Sequence, residues 1–418
     1  MKYYEKINHC RLCQKKELTN VIDLKKTTLA NSYRKKKIDS KKLRKIPLVV
    51  SLCKYCNHLQ LRYIANPKLM FNDYLYVSGT SKITKDHFKL YSIELLRVSK
   101  IKKKSQYKLI EIASNDGTFL DNFDHNKNMI VGIDPAKNLK KVALRKSRII
   151  IDDYFDYKKS IEIKKKYGLF DFIVANNVFA HVKNLNSFTK GVSNLISNVG
   201  IFVFEVSYLP NVIKKKTFDT IYHEHMSFHS MLPLIQFFKK FNLQIFDYKL
   251  IKVQGGSIRI YVSKKDAYKI QYKKINKIIY LEKNSFGLDK INTYKNFYKH
   301  IYENKIQTIK NLDILKKNNF KIIGYGAAAK TTTLLSFFNI NENYINYIID
   351  DNPLKQGHYL PGTEIKIVSR KHLKKLKPSY ILILAWNFSS SIIEQNSSLF
   401  KFGIKFILPF PKFRIISK

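Results

Sequence analysis

The chain has 418 residues, with 45% hydrophobic and 13% aromatic side chains. Single cores seldom grow past about 250–300 residues, so this length calls for two or three and excludes global disorder. Lys and Arg number 77 against 31 Asp and Glu, a net charge of +46. A basic excess of that size suits a polyanionic partner. Here, however, lysine runs at 35–37, 102–104, 164–166 and 214–216 spread through the whole chain, beside abundant Ile, Asn, Tyr and Phe. All are residues of A/T-rich codons. The composition therefore reads as codon drift, with no specific nucleic-acid partner. Apolar runs such as Tyr380–Trp386 are strand-sized, short of the roughly 20 residues a membrane helix needs. The N-terminal Met-Lys-Tyr-Tyr-Glu-Lys is polar. The expectation is a cytoplasmic monomer with no membrane partner.

All four cysteines fall in the first 56 residues, as Cys10-x2-Cys13 and Cys53-x2-Cys56. Paired CxxC knuckles can wrap a tetrahedral zinc ion, although the intervening 39 residues exceed the usual spacing of about 15–20. Four thiolates leave no open coordination position, so the expected Zn2+ is structural. His9 and His58 read as neighbours of the ion and not as ligands.

A helical stretch containing Phe88 to Val98 precedes a change of pattern at residue 107. Lys108-Leu-Ile-Glu-Ile-Ala-Ser-Asn-Asp-Gly117 predicts a short strand, a polar turn and a helix start. Met129-Ile-Val-Gly-Ile-Asp134 predicts a second strand ending in an acid. A turn for close approach followed by a carboxylate for ribose hydroxyls is the layout of a nucleotide-binding α/β unit. The absence of Gly-x-Gly-x-x-Gly and of a phosphate-binding lysine favours a cofactor without phosphates, such as S-adenosylmethionine. Phe170–Asn177 and Gly200–Val206 predict two more strands.

Phe218-Asp-Thr-Ile-Tyr222-His-Glu224-His225 sets titratable side chains in a row at the edge of this unit. Such a row suits acid–base chemistry; a metal site or an ordinary polar turn are the alternatives. His181, closing Asn177-Val-Phe-Ala-His181, can face the same cleft. Residues 265–318 predict lysine-rich helices, with Leu288, Ile291, Tyr294, Tyr298, Ile301, Ile309, Leu312 and Leu315 as packing faces. Phe320-Lys-Ile-Ile-Gly-Tyr-Gly-Ala-Ala-Ala-Lys330 then opens a second α/β unit. Strands are expected at Tyr344–Asp351 and at Tyr380–Asn387, the latter ending on a polar residue. Lys330 beside a helix N-terminus suits a phosphate-bearing ligand; a nucleotide fold kept only for packing is the alternative.

In this order the motifs resemble the sugar C-methyltransferases that act on nucleotide-linked 4-keto-deoxysugars. The resemblance rests on the two knuckles, Leu29-Ala-Asn-Ser32, Asp73-Tyr-Leu-Tyr76-Val-Ser-Gly79-Thr-Ser81, Glu111–Gly117 and Asn176–His181. It continues through Phe218–His225, Gly255-Gly-Ser-Ile-Arg259, Gly324–Lys330, Asp351–Gly357 and Pro361-Gly-Thr363. It implies an α/β fold: a class I methyltransferase Rossmann-like domain with an N-terminal zinc-binding domain and a C-terminal second Rossmann-like domain. The expected spans are 1–70 for zinc, 71–262 for methyl transfer, and 263–418 for the helical bridge with the nucleotide-sugar domain.

The resemblance further implies His225 as the base, with Tyr222, Glu224, His181 and Tyr76 around the reacting sugar. S-adenosylmethionine is expected at Ser81, Glu111, Asn115, Asp116, Gly117, Asp134 and Asn177. The nucleotide-linked sugar substrate is expected at Arg259, Tyr325, Lys330 and Asn387, methylated at C3 through an enolate. Two departures stand out: Asp23-Leu-Lys-Lys-Thr-Thr-Leu lacks the family's Gly and Pro, and Thr331-Thr332 replaces Gly-Asn. The competing readings are a nucleic-acid methyltransferase with a zinc knuckle and a non-catalytic nucleotide-sugar-binding protein. Unclustered lysines oppose the first, and an intact Tyr-His-Glu-His segment opposes the second.

Overall fold

The computed structural model describes residues 2–72, 74, 76–101, 105–144, 148–252 and 255–417. Asp73 and Leu75 of the Asp73–Ser81 motif, and the lysine run 102–104, lie outside the described residues.

Seven strands form the central sheet, in the order Leu243–Ile251, Ser257–Lys264, Ile196–Ser207, Phe170–Asn176, Lys108–Ile112, Met129–Ile133 and Ile149–Ile151. The strands from Ile196–Ser207 to Ile149–Ile151 run parallel, and Ser257–Lys264 is antiparallel to both its neighbours. Parallel strands must be covered on both faces, which explains their near-continuous apolar runs. Phe170, Ile173, Phe202 and Phe204 face one core, and Leu109, Phe172, Val174 and Val203 face another. Helices are started by local caps: Ser81 Oγ accepts the amide of Thr84 to open Lys82–Val98, and Asn184 opens Leu185–Leu195 in the same way. A side-chain cap of this kind is worth about 1 kcal/mol.

The helix expected after Gly117 is a single 3-10 turn, Leu120–Asn122. Side chains there compete with the helix: Asn122 bonds the carbonyls of Thr118 and Phe119, and Asp116 accepts both the amide and the hydroxyl of Thr118.

The second α/β sheet orders Lys366–Val368, Tyr347–Ile349, Ile322–Tyr325, Tyr380–Ile383, Lys405–Leu408 and Arg414–Ile416. All pairs are parallel except the last. The expected strand 344–351 shortens to three residues, and Trp386–Phe388 is a 3-10 turn beyond the strand Tyr380–Ile383. The bridge holds two α-helices, Tyr272–Tyr280 and Ile291–Lys317. Tyr294, Ile301, Leu312 and Leu315 of the second are buried in the core shared with the N-terminal strands and the C-terminal sheet.

The cysteine-bearing region folds around a four-stranded sheet, ordered Ser227–Phe228, Leu59–Leu61, Ile46–Cys53 and Leu18–Thr27. Its edge strand comes from the segment directly after His225. The N-terminal sheet and the titratable segment are therefore one hydrogen-bonded unit. No helix among the described residues is long and apolar enough to cross a membrane.

Candidate active site and zinc centre

The four cysteines carry free thiols whose sulfurs lie within 4.8 Å of one another. Cys10 and Cys56 Sγ are 3.5 Å apart, and Cys13 and Cys53 Sγ 3.6 Å. A tetrahedron with Zn–S bonds of about 2.3 Å has edges of about 3.8 Å. The cluster fits a closed zinc site and leaves no position for substrate. His58 stays out of it, buried beside His229 and sharing a hydrogen bond with Ser227 Oγ.

From this knuckle Arg11 reaches into the central domain. Its buried guanidinium bonds Ser227 Oγ and the carbonyls of Val182 and Lys183. It thus ties the loop carrying His181 to the segment carrying His225. Sequence reading passed over Arg11 because a lone basic residue in a basic chain gives no signal.

A cavity of about 900 Å³ opens at the carboxyl edge of the central sheet, walled on the far side by residues 5–9 near the N-terminus. Of the residues expected to hold S-adenosylmethionine, Glu111, Asn115, Asp134 and Asn177 line it. Glu111 Oε1 accepts the side-chain amide of Asn176 at 3.0 Å, and its Oε2 is buried without a partner. Burial pushes this carboxyl well above the usual range. An unpartnered carboxylate oxygen at the cavity wall suits the ammonium of an amino-acid moiety, the charge whose arrival would hold Glu111 ionised. Asp134 accepts the amides of Asn115 and Ala136, each at 2.8 Å, and burial raises its pKa. Its remaining lone pairs can take ribose hydroxyls.

Ser81, Asp116 and Gly117, also expected at the cofactor, do not line the cavity. Ser81 is spent as the helix cap described above. Asp116 Oδ2 accepts the amide of Gly79 at 2.9 Å and so fastens the loop above the site. Gly117 has φ +77°, and a Cβ there would lie 1.7 Å from Arg148 Nη1. Its missing side chain makes room for Arg148, which bonds the Gly117 carbonyl at 2.7 Å.

At the inner end of the cavity stands His181, stacked on His225 with ring centroids 5.0 Å apart. His225 Nδ1 donates to the carbonyl of Thr220 at 2.7 Å, which leaves Nε2 unprotonated and facing the Tyr222 hydroxyl at 3.1 Å. Burial pushes the His225 imidazole down to about 4, so it is neutral near pH 7. Glu224, 2% exposed, accepts Asn31 Nδ2 at 2.6 Å and the Tyr74 hydroxyl at 3.3 Å; burial lifts it to about 7. Tyr76 lines the cavity and packs against Tyr74, ring centroids 6.5 Å apart. The expected cluster of Tyr76, His181, Tyr222, Glu224 and His225 is thus brought together. Asn31 and Tyr74 were missed as its members, although both stand inside quoted motifs.

The four residues expected at the substrate separate. Lys330 Nζ donates to Asn387 Oδ1, beside Asp219, so these two form one polar site on the C-terminal domain. Arg259 lies apart from them: it is 2% exposed, lies 3.4 Å over the Tyr91 ring, and pairs with Glu205 and Glu94 inside the central domain. Its register opposite Glu205 in the antiparallel strand pair dictates that partner. Tyr325 packs in the core on one side of the C-terminal sheet, with its hydroxyl on Asp351 at 2.8 Å.

Three family models match in chain order: a zinc binding domain over residues 10–71, a methyltransferase domain over 84–247, and a C-methyltransferase C-terminal domain over 252–411. The chain belongs to the C-methyltransferase family, an enzyme dependent on S-adenosylmethionine. It is 30% identical to C-methyltransferase NovU of Streptomyces niveus over 411 residues, covering 98% of this chain and 97% of that one. Among solved structures, an S-adenosylmethionine-dependent methyltransferase of Clostridium acetobutylicum is 13% identical with TM-score 0.35, covering 43% of this chain and 92% of its own. The magnesium protoporphyrin IX methyltransferase of Synechocystis is 8% identical with TM-score 0.32, covering 43% and 79%.

Proposed function

We propose that the enzyme methylates C3 of a nucleotide-linked 4-keto-deoxysugar, with His225 as the base that generates an enolate. The observation that carries this reading is the fixed tautomer of His225. Its Nδ1–H is committed to the Thr220 carbonyl, so a basic lone pair on Nε2 faces the Tyr222 hydroxyl, one ring behind His181 of the cofactor cavity wall. Methylating carbon requires removal of a proton alpha to a ketone, and a neutral imidazole is suited to take it. Tyr76 and His181 supply donors for the oxygen on which enolate charge develops, and the Tyr222 hydroxyl, which donates to Nε2, holds the base until substrate displaces it. Bound S-adenosylmethionine supplies the electrophilic methyl group. Glu111, Asn115, Asp134 and Asn177 would orient it, and Lys330 with Asn387 would take an anionic part of the sugar nucleotide.

The test is His225→Ala assayed by product mass against a panel of nucleoside-diphosphate 4-keto-deoxysugars. Loss of a general base typically costs about 10²–10⁴-fold in rate. S-adenosylmethionine binding by calorimetry should be unchanged. A folded His225→Ala enzyme that methylates within a few-fold of wild type would remove His225 from the base role.

A further inference from the structure

We propose that the C-terminal domain sets the tautomer and orientation of the His225 ring, with Trp386 and Thr333 as positioning residues acting on the peptide Asp219–Ile221. The proposal rests on the reading of His225 as base.

Asp219, Thr220 and Ile221 are consecutive. The middle carbonyl, of Thr220, is the one that accepts His225 Nδ1–H. Both flanking residues are gripped by the C-terminal domain. The Trp386 indole donates to Asp219 Oδ2 at 2.7 Å, and Thr333 Oγ1 donates to the Ile221 carbonyl at 2.9 Å. All three contributing side chains are buried, Asp219 and Thr333 almost completely. A buried hydrogen bond to the Asp219 carboxylate on one side and one to the Ile221 carbonyl on the other anchor this short segment, and with it the direction of the Thr220 carbonyl. That direction decides whether Nδ1 or Nε2 carries the imidazole proton.

The Thr331–Thr333 run gives the grip a basis in sequence. Thr331 Oγ1 bonds the carbonyl of Gly326 in its own turn, and Thr332 Oγ1 bonds the carbonyl of Ala30 next to Asn31. Three successive hydroxyls thus join the C-terminal turn, the N-terminal loop that holds Glu224, and the segment that holds His225. The departure of Thr331-Thr332 from the family's Gly-Asn is part of this clasp. Asn387 adjoins Trp386, and Lys330 lies one helical turn before Thr333, so ligand binding there acts on the same elements.

The decisive measurement is ¹⁵N-histidine NMR on the full zinc-loaded chain, with the His225 resonances identified by their loss in His225→Gln. Wild type should show the Nδ1-protonated tautomer. Trp386→Phe keeps an aromatic ring against Phe410 but removes the donor, and Thr333→Val removes the hydroxyl at similar volume. The pair should give a mixed tautomer, with kcat lowered on the order of tenfold or more by misplacement of the reacting group. The KM for S-adenosylmethionine should stay within twofold. Thr333→Ser, which keeps the hydroxyl, should restore the wild-type tautomer in the Thr333 series. A folded double variant that retains the Nδ1-protonated form would overturn the proposal. The rate of His225→Ala separately decides the base role: a shifted tautomer with undiminished turnover would uphold the clamp and refute the base.

Discussion

In the central sheet, Asp134 at the end of the second strand accepts the amide of Asn115, and in the C-terminal sheet Asp350 accepts the amide of Ala327. The carbonyl just before each acid is used alike too: Ala113 N bonds Ile133 O, and Gly326 N bonds Ile349 O, each at 2.7 Å. The two units diverge after the turn. The first bends through left-handed Ala113 and Asn115, with φ of +56° and +53°, and leaves Glu111 Oε2 unpartnered at a large cavity. Holding non-glycine residues there costs on the order of 1–3 kcal/mol each, a strain typical of ligand sites. The second relaxes through Gly326 and runs into a regular helix, Ala329–Phe338, whose first-turn hydroxyls are all bonded to carbonyls. One local grammar therefore yields an open unit that can receive a cofactor and a closed unit that grips its neighbours.

The harshest way to break this arrangement is through the support both units share. Cys53→Ser should lose the zinc ion, which elemental analysis would show, and with it cooperative thermal unfolding. Binding of structural zinc is worth on the order of 10 kcal/mol to small modules, comparable with the whole stability of a domain. The loss should carry into the active site, because the strand Ser227–Phe228 pairs with Leu59–Leu61 beside the knuckle.

A narrower change sharpens the contrast between open and closed. Glu111→Gln replaces the unpartnered oxygen in the open unit and should weaken S-adenosylmethionine binding about 10- to 100-fold, the value of a hydrogen bond to a charged group. Calorimetry would measure it. The C-terminal site should be untouched, so a loss confined to sugar-nucleotide affinity would reverse the assignment of the two units.

Glu224 lies between them, and its response to pH is smaller but has a definite sign. Its folded pKa, near 7, is above the unfolded value near 4.5, so the folded state keeps the proton longer. The stability linked to that proton is present below about pH 4.5 and is lost as pH rises through about 7. Glu224→Gln carries no such charge. Its melting temperature relative to wild type should therefore climb between pH 5 and pH 8, by the equivalent of a few kcal/mol at most. A constant offset across that range would show that Glu224 is already ionised at pH 5.

Much of this was legible in the residues, and the remainder has a common cause. The paired knuckles, the Glu111 turn, Asp134 and the Tyr222–His225 row declare themselves because their chemistry is carried by side chains at short spacing. Arg259 and Tyr325 stand inside recognisable motifs, one at the end of Gly255–Arg259 and one near the start of Gly324–Lys330, yet burial and strand register give their side chains internal partners. Asn31, Tyr74, Arg11, Thr333 and Trp386 were passed over because their partners lie far along the chain: 193 residues separate Asn31 from Glu224, and 112 separate Thr333 from Ile221. Hydrophobic period and motif spacing report local order, and such pairings are set by how three sheets stack.

Ser81 gives the mildest test, and it probes the boundary of the open unit. Tyr74, Tyr76 and Ser78, from the same motif, line the cavity wall. Ser81 turns instead into the helix Lys82–Val98 and accepts the amide of Thr84 at 3.3 Å. If its role is only to cap, Ser81→Ala should lower stability by about 1 kcal/mol, the usual cost of a lost N-cap. S-adenosylmethionine affinity should hold within twofold, because the lining residues keep their places. Chemical denaturation and calorimetry on the same preparation separate the two effects. Affinity falling tenfold with stability unchanged would extend the open unit one residue further and return Ser81 to the cofactor.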